Sequence, residues 1–312
     1  MHAGMAYLAR DPSARESITR WFPAARSVIL LGFSYAGPPS KTPAGGGGPD
    51  LGRGGAGRFA RYALCDDYHP ALKAKARELL AWLQTERPGT KGKVFVDTSP
   101  VLERLYARWA GLGWVGKNTM LLSPSLGSLF FLAGFAVDAE LEPDQPVTDH
   151  CGACRRCLDA CPTGAFAAPR VLDASRCIAY FTIEHRGEVP RSFREGVGDW
   201  VFGCDVCQDA CPFSRFARMN PVFRPRLPER APLEELAALD EKGFEERYGA
   251  TPVERAGVDG LKRNALLAMG NSGETRFVPV LERFAGDRDP VLAEQARASL
   301  DRLRGLPSPS ET

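Results

Sequence analysis

Residues 150–166 read HCGACRRCLDACPTGAF, and residues 203–215 read GCDVCQDACPFSR. The first stretch sets Cys151, Cys154, Cys157 and Cys161 ahead of Pro162, a C-x2-C-x2-C-x3-C-P run. Such spacing lets three thiolates wrap one 4Fe-4S cluster while the fourth, after a longer gap, points to another. The second stretch repeats the ending with Cys204, Cys207, Cys211 and Pro212, and Cys177 stands between the two. Pseudo-symmetry assigns Cys151, Cys154, Cys157 and Cys211 to one cluster and Cys161, Cys177, Cys204 and Cys207 to the other. Zinc sites pair C-x2-C units and leave the C-P endings unexplained. Two clusters imply one-electron transport.

The rest of the chain bounds what those electrons serve. Its 312 residues are 44% hydrophobic and 25% charged, the composition of a soluble protein with two or three domains. A net charge of +2 announces no polyanion partner globally, so any nucleic-acid surface is local. The start, MHAGMAYLARDPSARES, lacks the apolar run of a signal peptide. The longest apolar stretch, residues 121–137, carries Ser, Pro and Gly and falls short of the roughly 20 residues a membrane span needs. It reads as strand, turn, strand. Nine cysteines without a secretory signal favour reduced thiols and a cytoplasmic protein with no membrane partner.

Three zones follow along the chain. Residues 1–140 alternate strand and helix patterns, which argues for an α/β sheet. SVILLGFSY (27–35) is a buried-strand candidate, and the Pro/Gly segment after it (36–57) reads as a mobile loop. HPALKAKARELLAWLQTE (69–86) has helical spacing, KVFVDTSP supplies a strand ending in Asp97, and PVLERLYARWAGLG is helical again. Residues 141–225 hold eight of the nine cysteines, and residues 226–312 read as short amphipathic helices. In the last helix Leu292, Ala296, Leu300 and Leu303 share one face, a pattern close to HEAT-type pairs.

Several features carry less than their letters suggest. GRGGAG (52–57) matches a dinucleotide fingerprint but follows no strand, and GLGWVGKN (111–118) lacks the hydroxyl residue of a phosphate loop. The four histidines include no H-x-x-x-H pair, so a histidine-built catalytic metal site is not expected. Cys65, without a partner cysteine nearby, reads as a structural thiol. Asp97 lies where α/β folds open a ligand crevice, with a helix N-cap as its bland alternative.

With these residues in hand, the chain resembles epoxyqueuosine reductases, cobalamin-dependent iron–sulfur enzymes of tRNA queuosine synthesis. The resemblance rests on RYALCDDYH, FVDTSPVLER, AGLGWVGKN, LGSLFFLAGF, the cysteine run, RCIAYFTIE, GCDVCQDACPFSR and LKRNALLAMGN. It implies an α/β cobalamin-binding domain over 1–140, a bacterial ferredoxin-like domain with two 4Fe-4S clusters over 141–225, and a C-terminal HEAT-like α-helical domain over 226–312. The implied reaction removes the epoxide oxygen of epoxyqueuosine in the tRNA anticodon loop. Electrons would pass from a donor protein such as flavodoxin or ferredoxin through the clusters to cobalamin, in an enzyme expected to be a monomer. Asp97 would be the catalytic proton donor.

By the same resemblance, Arg15, Ala60, Tyr68, Asp97, Leu121 and Leu132 approach the corrin. Arg255, Lys262 and Arg263 are candidates for tRNA phosphate contact. Family members carry a further strand–helix segment before the match to HAGMAYLAR, so the first domain is expected to lack its N-terminal part here. Cys65 replaces a usual Gly, Leu129 a usual Trp and Gly134 a usual Glu. The competing readings are a reductive dehalogenase-like corrinoid enzyme and an electron-transfer module without chemistry of its own.

Overall fold

The computed structural model describes residues 2–9, 12–37 and 55–305. Most of the expected mobile loop, 38–54, and the tail, 306–312, lie outside the described residues. The first zone contains α1 (Ile18–Trp21), β1 (Ser27–Ser34), β2 (Ala56–Phe59), α2 (Tyr68–Glu86), β3 (Gly92–Phe95), α3 (Glu103–Trp109), β4 (Trp114–Val115), β5 (Leu121–Leu122) and β6 (Phe130–Val137). The second holds α4 (Arg156–Asp159), β7 (Phe166–Ala168), β8 (Val171–Leu172), α5 (Ile178–Ile183), α6 (Arg191–Val197), β9 (Trp200–Phe202) and α7 (Val206–Asp209). The third holds β10 (Arg230–Pro232), α8 (Leu233–Ala237), α9 (Glu241–Tyr248), α10 (Gly257–Ser272), α11 (Val278–Ala285) and α12 (Pro290–Leu303).

The fold is mixed α/β with a C-terminal helical region. Helix–strand alternation usually builds parallel sheets, but here β6 lies between β1 and β3 and pairs antiparallel with both. Gly134 of β6 faces Leu30 on one side and Phe95 on the other. A Cβ at Gly134 would come within 2.5 Å of the Ile29 carbonyl and 2.6 Å of the Phe95 ring, so that ring takes the space a side chain would need. Helix α2 covers the sheet with Leu72, Ala76, Leu80 and Leu83, a stripe at helical spacing. Burying each leucine contributes roughly 1.5–3 kcal/mol. The stretch 121–137 forms β5, a Ser123–Gly127 bridged turn and β6, as its pattern suggested.

A second sheet, in the order β10-β2-β9, takes one strand from each zone. Strand β2 runs parallel to β9 and antiparallel to β10. The last letters of GRGGAG therefore enter a strand. A Cβ at Gly57 would meet Val201 Cγ1 at 2.4 Å and Leu233 Cδ2 at 2.9 Å, so this glycine serves close packing. The largest core joins Phe59, Phe202, Leu233, Leu261, Leu281 and Leu300, again crossing all three zones. Helix α12 starts on Asp289, whose carboxylate accepts the Val291 and Leu292 N–H groups at 2.7 and 3.2 Å, with Pro290 at its first position. Its Leu292, Ala296 and Leu300 are buried against α10 and α11. No described helix is long and apolar enough to cross a membrane.

Candidate active site and cysteine groups

By the charges each sulfur senses, the eight cysteines fall into two sets of four. Among the described residues, no three His, Cys, Asp or Glu side chains are placed to hold a single metal ion. Cys157 lies within electrostatic reach of Cys211, Cys151 and Cys154, and Cys211 within reach of Cys151 and Cys154. Cys207 senses Cys177 and Cys161, while Cys204 senses Cys207 and Cys177. Cys207 also senses Cys157, so the two groups adjoin. Short helices α4 and α7, each followed by a Cys-Pro step, pack on one another and bring Cys211 near cysteines far back along the chain, while Cys177 stands at the start of α5. None of the nine cysteines is disulfide-bonded.

The donor set suits iron–sulfur chemistry. Burial pushes the Cys204 and Cys207 thiols far up, and Cys157, Cys177 and Cys211 upward, so without metal these sulfurs hold protons. Backbone N–H groups nevertheless point at sulfur: Tyr180 and Ala179 at Cys177, Val206 at Cys204, Phe213 and Ser214 at Cys211. Trp114 Nε1 donates to Cys151 Sγ at 3.4 Å, and the Ala165 N–H to Cys161 Sγ at 3.3 Å. Donors aimed at sulfur stabilise a thiolate ligand and tune a cluster's potential.

Side chains of the first zone grip both cysteine loops. Lys117 Nζ donates to the carbonyls of Gly152 and Cys154 at 2.6 and 2.9 Å, and Asn118 Nδ2 to that of Cys207 at 3.3 Å. The supposed phosphate-loop letters thus clamp the cysteine loops. Gln208 Nε2 donates to Tyr35 Oη and the Ser128 carbonyl at 3.2 and 2.5 Å, fastening α7 to the first sheet. Arg61 pairs with Asp205 and Asp209 beside Cys204. A cavity of about 290 Å³ opens beside this region, lined by Arg108, Trp114, Val115, Val147, Asp149 and Arg170, and Asp97 is not among its lining residues.

Asp97 lies two residues beyond the end of β3, at φ +49, a left-handed conformation that a non-glycine residue adopts at a cost of order 1–3 kcal/mol. It does not cap α3, which starts at Glu103 with Leu102 before it and no side-chain cap. Its carboxylate is 60% exposed, and its Oδ2 accepts from Tyr68 Oη at 2.7 Å and lies 3.4 Å from His69 Nε2. The neighbouring His69 imidazole, then the Tyr68 hydrogen bond, hold the Asp97 carboxyl below the usual carboxylate range. Tyr68 stacks on Phe131 with ring centroids 4.0 Å apart, which fixes its hydroxyl.

Other expected contacts divide sharply. Arg15 donates to the Leu8 and Tyr7 carbonyls at 2.6 and 3.4 Å and pins the N-terminal turn. Ala60 and Leu121 are enclosed in core clusters, so only their backbone can be offered to a ligand. Leu132 is half-buried beside Leu121. Arg255 pairs with Glu184 at 2.8 Å and covers the Tyr7 ring, and Lys262 is half-buried on α10. Arg263 is a correction. It is 2% exposed, and its guanidinium donates to the carbonyls of Phe181, His185 and Gly187 and to Asn264 Oδ1, so it cannot reach a phosphate. Cys65 is buried as a structural thiol, bridged to Pro225.

This arrangement has close relatives. A 4Fe-4S double cluster binding domain family matches residues 150–214, and the family described as Epoxyqueuosine reductase QueG, DUF1730 matches residues 15–98. An epoxyqueuosine reductase of Gloeobacter violaceus is 40% identical over 282 residues, covering 88% of this chain and 85% of that protein. The chain belongs to the epoxyqueuosine reductase family. A Xanthomonas campestris epoxyqueuosine reductase is 39% identical over 94% of this chain and 83% of its own length. The Bacillus subtilis epoxyqueuosine reductase structure, described with its aspartate catalytic loop swung out of the active site, superposes with a TM-score of 0.83 at 30% identity, covering 94% of this chain and 78% of that one. An epoxyqueuosine reductase solved with an epoxyqueuosine-modified tRNA-Tyr stem loop gives 0.82 at 31% identity, with the same coverage.

Epoxyqueuosine reductase membership sets aside the reductive dehalogenase-like alternative. It leaves two residues that motif reading passed over. His69 bridges Asp67 and Asp97, and Glu103 accepts the Asp97 N–H at 2.5 Å. Burial, then the Asp97 charge, raise the Glu103 carboxyl to about 7. Their signal in the sequence was weak: D-Y-H before a helix reads as a cap, and L-E-R as an exposed helical turn.

Proposed function

We propose that this chain reduces epoxyqueuosine to queuosine in the tRNA anticodon loop, in the cytoplasm, as a monomer. One observation carries the reading: two adjoining groups of four thiols share a chain with an exposed, polar-gripped carboxylate at Asp97. The relatives' named activity and the tRNA stem loop bound by one of them supply the substrate class. Cys151, Cys154, Cys157 and Cys211 would hold one 4Fe-4S cluster, and Cys161, Cys177, Cys204 and Cys207 the other. A flavodoxin or ferredoxin would supply the electrons.

Cobalamin fits as the resident cofactor. His69 Nε2 is buried without a hydrogen bond beside an open carboxylate, a polar edge that suits a further group above it. When bound, the cofactor supplies a strongly reducing cobalt centre that side chains lack. Tyr68 and Leu132 would offer side-chain surface to the corrin, Ala60 and Leu121 backbone, and Arg15 the order of the N-terminal turn. Asp97 delivers a proton to the epoxide oxygen, and general acid help of this kind contributes about 10²–10⁴-fold. Arg255 and Lys262 contact tRNA phosphates. In this reading residues 1–140 form the cobalamin-binding zone, 141–225 the ferredoxin-like zone and 226–312 a HEAT-like helical zone.

The test is anaerobic conversion of epoxyqueuosine tRNA to queuosine tRNA by reduced protein with added cobalamin, alongside iron and cobalt counts. Conversion that needs both the corrinoid and the reductant supports the reading. Protein that is loaded with both metals and converts nothing sinks it.

A further inference from the structure

The reaction asks Asp97 for a proton, yet its surroundings keep that carboxyl ionised. The proton must rest elsewhere. Next to Asp97 Oδ2, at 3.4 Å, lies His69 Nε2, and on the far side of the ring His69 Nδ1 lies 2.6 Å from Asp67 Oδ1. Asp67 also caps α2, accepting the His69 N–H at 3.0 Å, so the carboxylate that orients the ring is itself held by the helix start. With Nδ1–H bound to Asp67, the nitrogen that gains and loses a proton is Nε2, the one facing Asp97. Nε2 is buried and has no hydrogen-bond partner, so the Asp97 carboxylate 3.4 Å away is the charged group it faces. Tyr68 stacks on the ring at 4.3 Å between centroids and donates to the same Asp97 oxygen.

We propose that His69 is the proton store of the site, holding on Nε2 the proton that passes through Asp97 to the departing epoxide oxygen, with Asp67 as the residue that orients the ring. This inference rests on the proposed reductase activity and adds a positioning residue to it. Removal of an epoxide oxygen with restoration of the carbon–carbon double bond breaks two C–O bonds, consumes two electrons and two protons, and releases water. The electrons come from the external one-electron carrier protein. The first proton moves from His69 Nε2 to Asp97 and then to oxygen, and the second comes from solvent water by the same route after His69 is recharged.

The charges agree with this direction of travel. The Asp97 carboxylate, then the Asp67 hydrogen bond, raise His69 above the ordinary histidine range against the opposing effect of burial. Glu103 faces both His69 and Asp97 from α3, and Arg104 and Arg255 bring positive charge toward Asp97. Tyr7 and Tyr62 also sense Asp97, and both phenols are pushed upward, so they stay neutral at working pH.

The experiment has two arms. In protein labelled with ¹⁵N-histidine, the four imidazoles are titrated by NMR in the holoenzyme without tRNA. His69 is expected to titrate above about 6.5, lower in Asp97→Asn, and lower by a smaller step in Asp67→Asn, where asparagine still caps the helix. An ordinary His69 midpoint, or one that Asp97→Asn leaves unmoved, overturns the proposal. In single-turnover conversion of epoxyqueuosine tRNA, His69→Gln is expected to lose about 10²-fold near pH 8 and far less near pH 5. An equal loss at every pH would mark a merely structural role and overturn it too. Asp67→Asn provides the same pH comparison if His69→Gln fails to fold. Wild-type holoenzyme that binds the tRNA and converts none at any pH overturns the reaction and this use of the pair together, whatever the titration shows.

Discussion

The Glu103 carboxylate accepts the backbone N–H of Asp97 at 2.5 Å, tying a residue at φ +49 to the first turn of α3. This bond holds an unfavourable backbone conformation with a half-buried acid. Glu103 therefore acts on the loop that carries the candidate proton donor, although it lies six residues away in sequence.

The Glu103 carboxyl is raised from 4.5 to about 7, chiefly by burial. A raised acid favours its protonated form in the fold, so its contribution to stability is full below about 4.5 and lost as pH climbs to about 7. Glu103→Gln keeps an acceptor for Asp97 N–H without the charge. It should remove this pH dependence and stabilise the protein near pH 8 by on the order of 2 kcal/mol. Anaerobic thermal midpoints of the two proteins near pH 5 and pH 8 measure the effect.

Arg263 and Arg255 should separate stability from tRNA affinity. Arg263→Met leaves three backbone carbonyls and the Asn264 side chain without their donor inside the core, at a cost of at least about 3 kcal/mol. Arg255→Ala and Lys262→Ala should leave the fold intact and weaken tRNA binding, each lowering the salt slope by about 1. Thermal melts and salt-dependent binding isotherms on the same variants distinguish the two roles.

The two cysteine groups should differ in how readily they lose iron. Cys154 is the one exposed member of the eight, whereas the sulfurs of Cys204 and Cys207 are strongly desolvated. Brief exposure to air and chelator should remove iron from the Cys154 group first, leaving about half the iron. Cys154→Ser should accelerate that first phase alone. Iron counts and low-temperature EPR of the reduced protein follow each group.

Trp114→Phe should lower the reduction potential of the cluster at Cys151. A phenyl ring at this buried position keeps part of the aromatic packing while the N–H donated to Cys151 Sγ is lost, and donors to sulfur stabilise the reduced cluster. A redox titration followed by EPR measures the change, and an unaltered potential would show the bond to be without influence.

Much of the site was legible because its chemistry is local. Four cysteines within eleven residues, closed by proline, constrain their own loop whatever surrounds it, and the repeat at Cys204–Cys211 doubles the message. The buried face of α12 was equally legible, since helical spacing is a local periodicity. Arg263 was not. Its letters, LKRN, suit an exposed basic turn, and only the placement of α10 against α5 turns the guanidinium inward. The same limit hid Glu103 and His69, whose roles come from the left-handed backbone at Asp97.

Sequence by itself determined the number and spacing of the sulfur ligands, the run of helices at the C-terminus and the candidacy of Asp97, because each depends on residues a few positions apart. Only the tertiary structure decided that β1, β6 and β3 pair antiparallel, that one strand from each zone shares a sheet, and that His69, Asp67, Tyr68 and Glu103 converge on one carboxylate. Strand partners and side-chain electrostatics depend on which distant surfaces bury each other, and burial is a property of the whole packed chain.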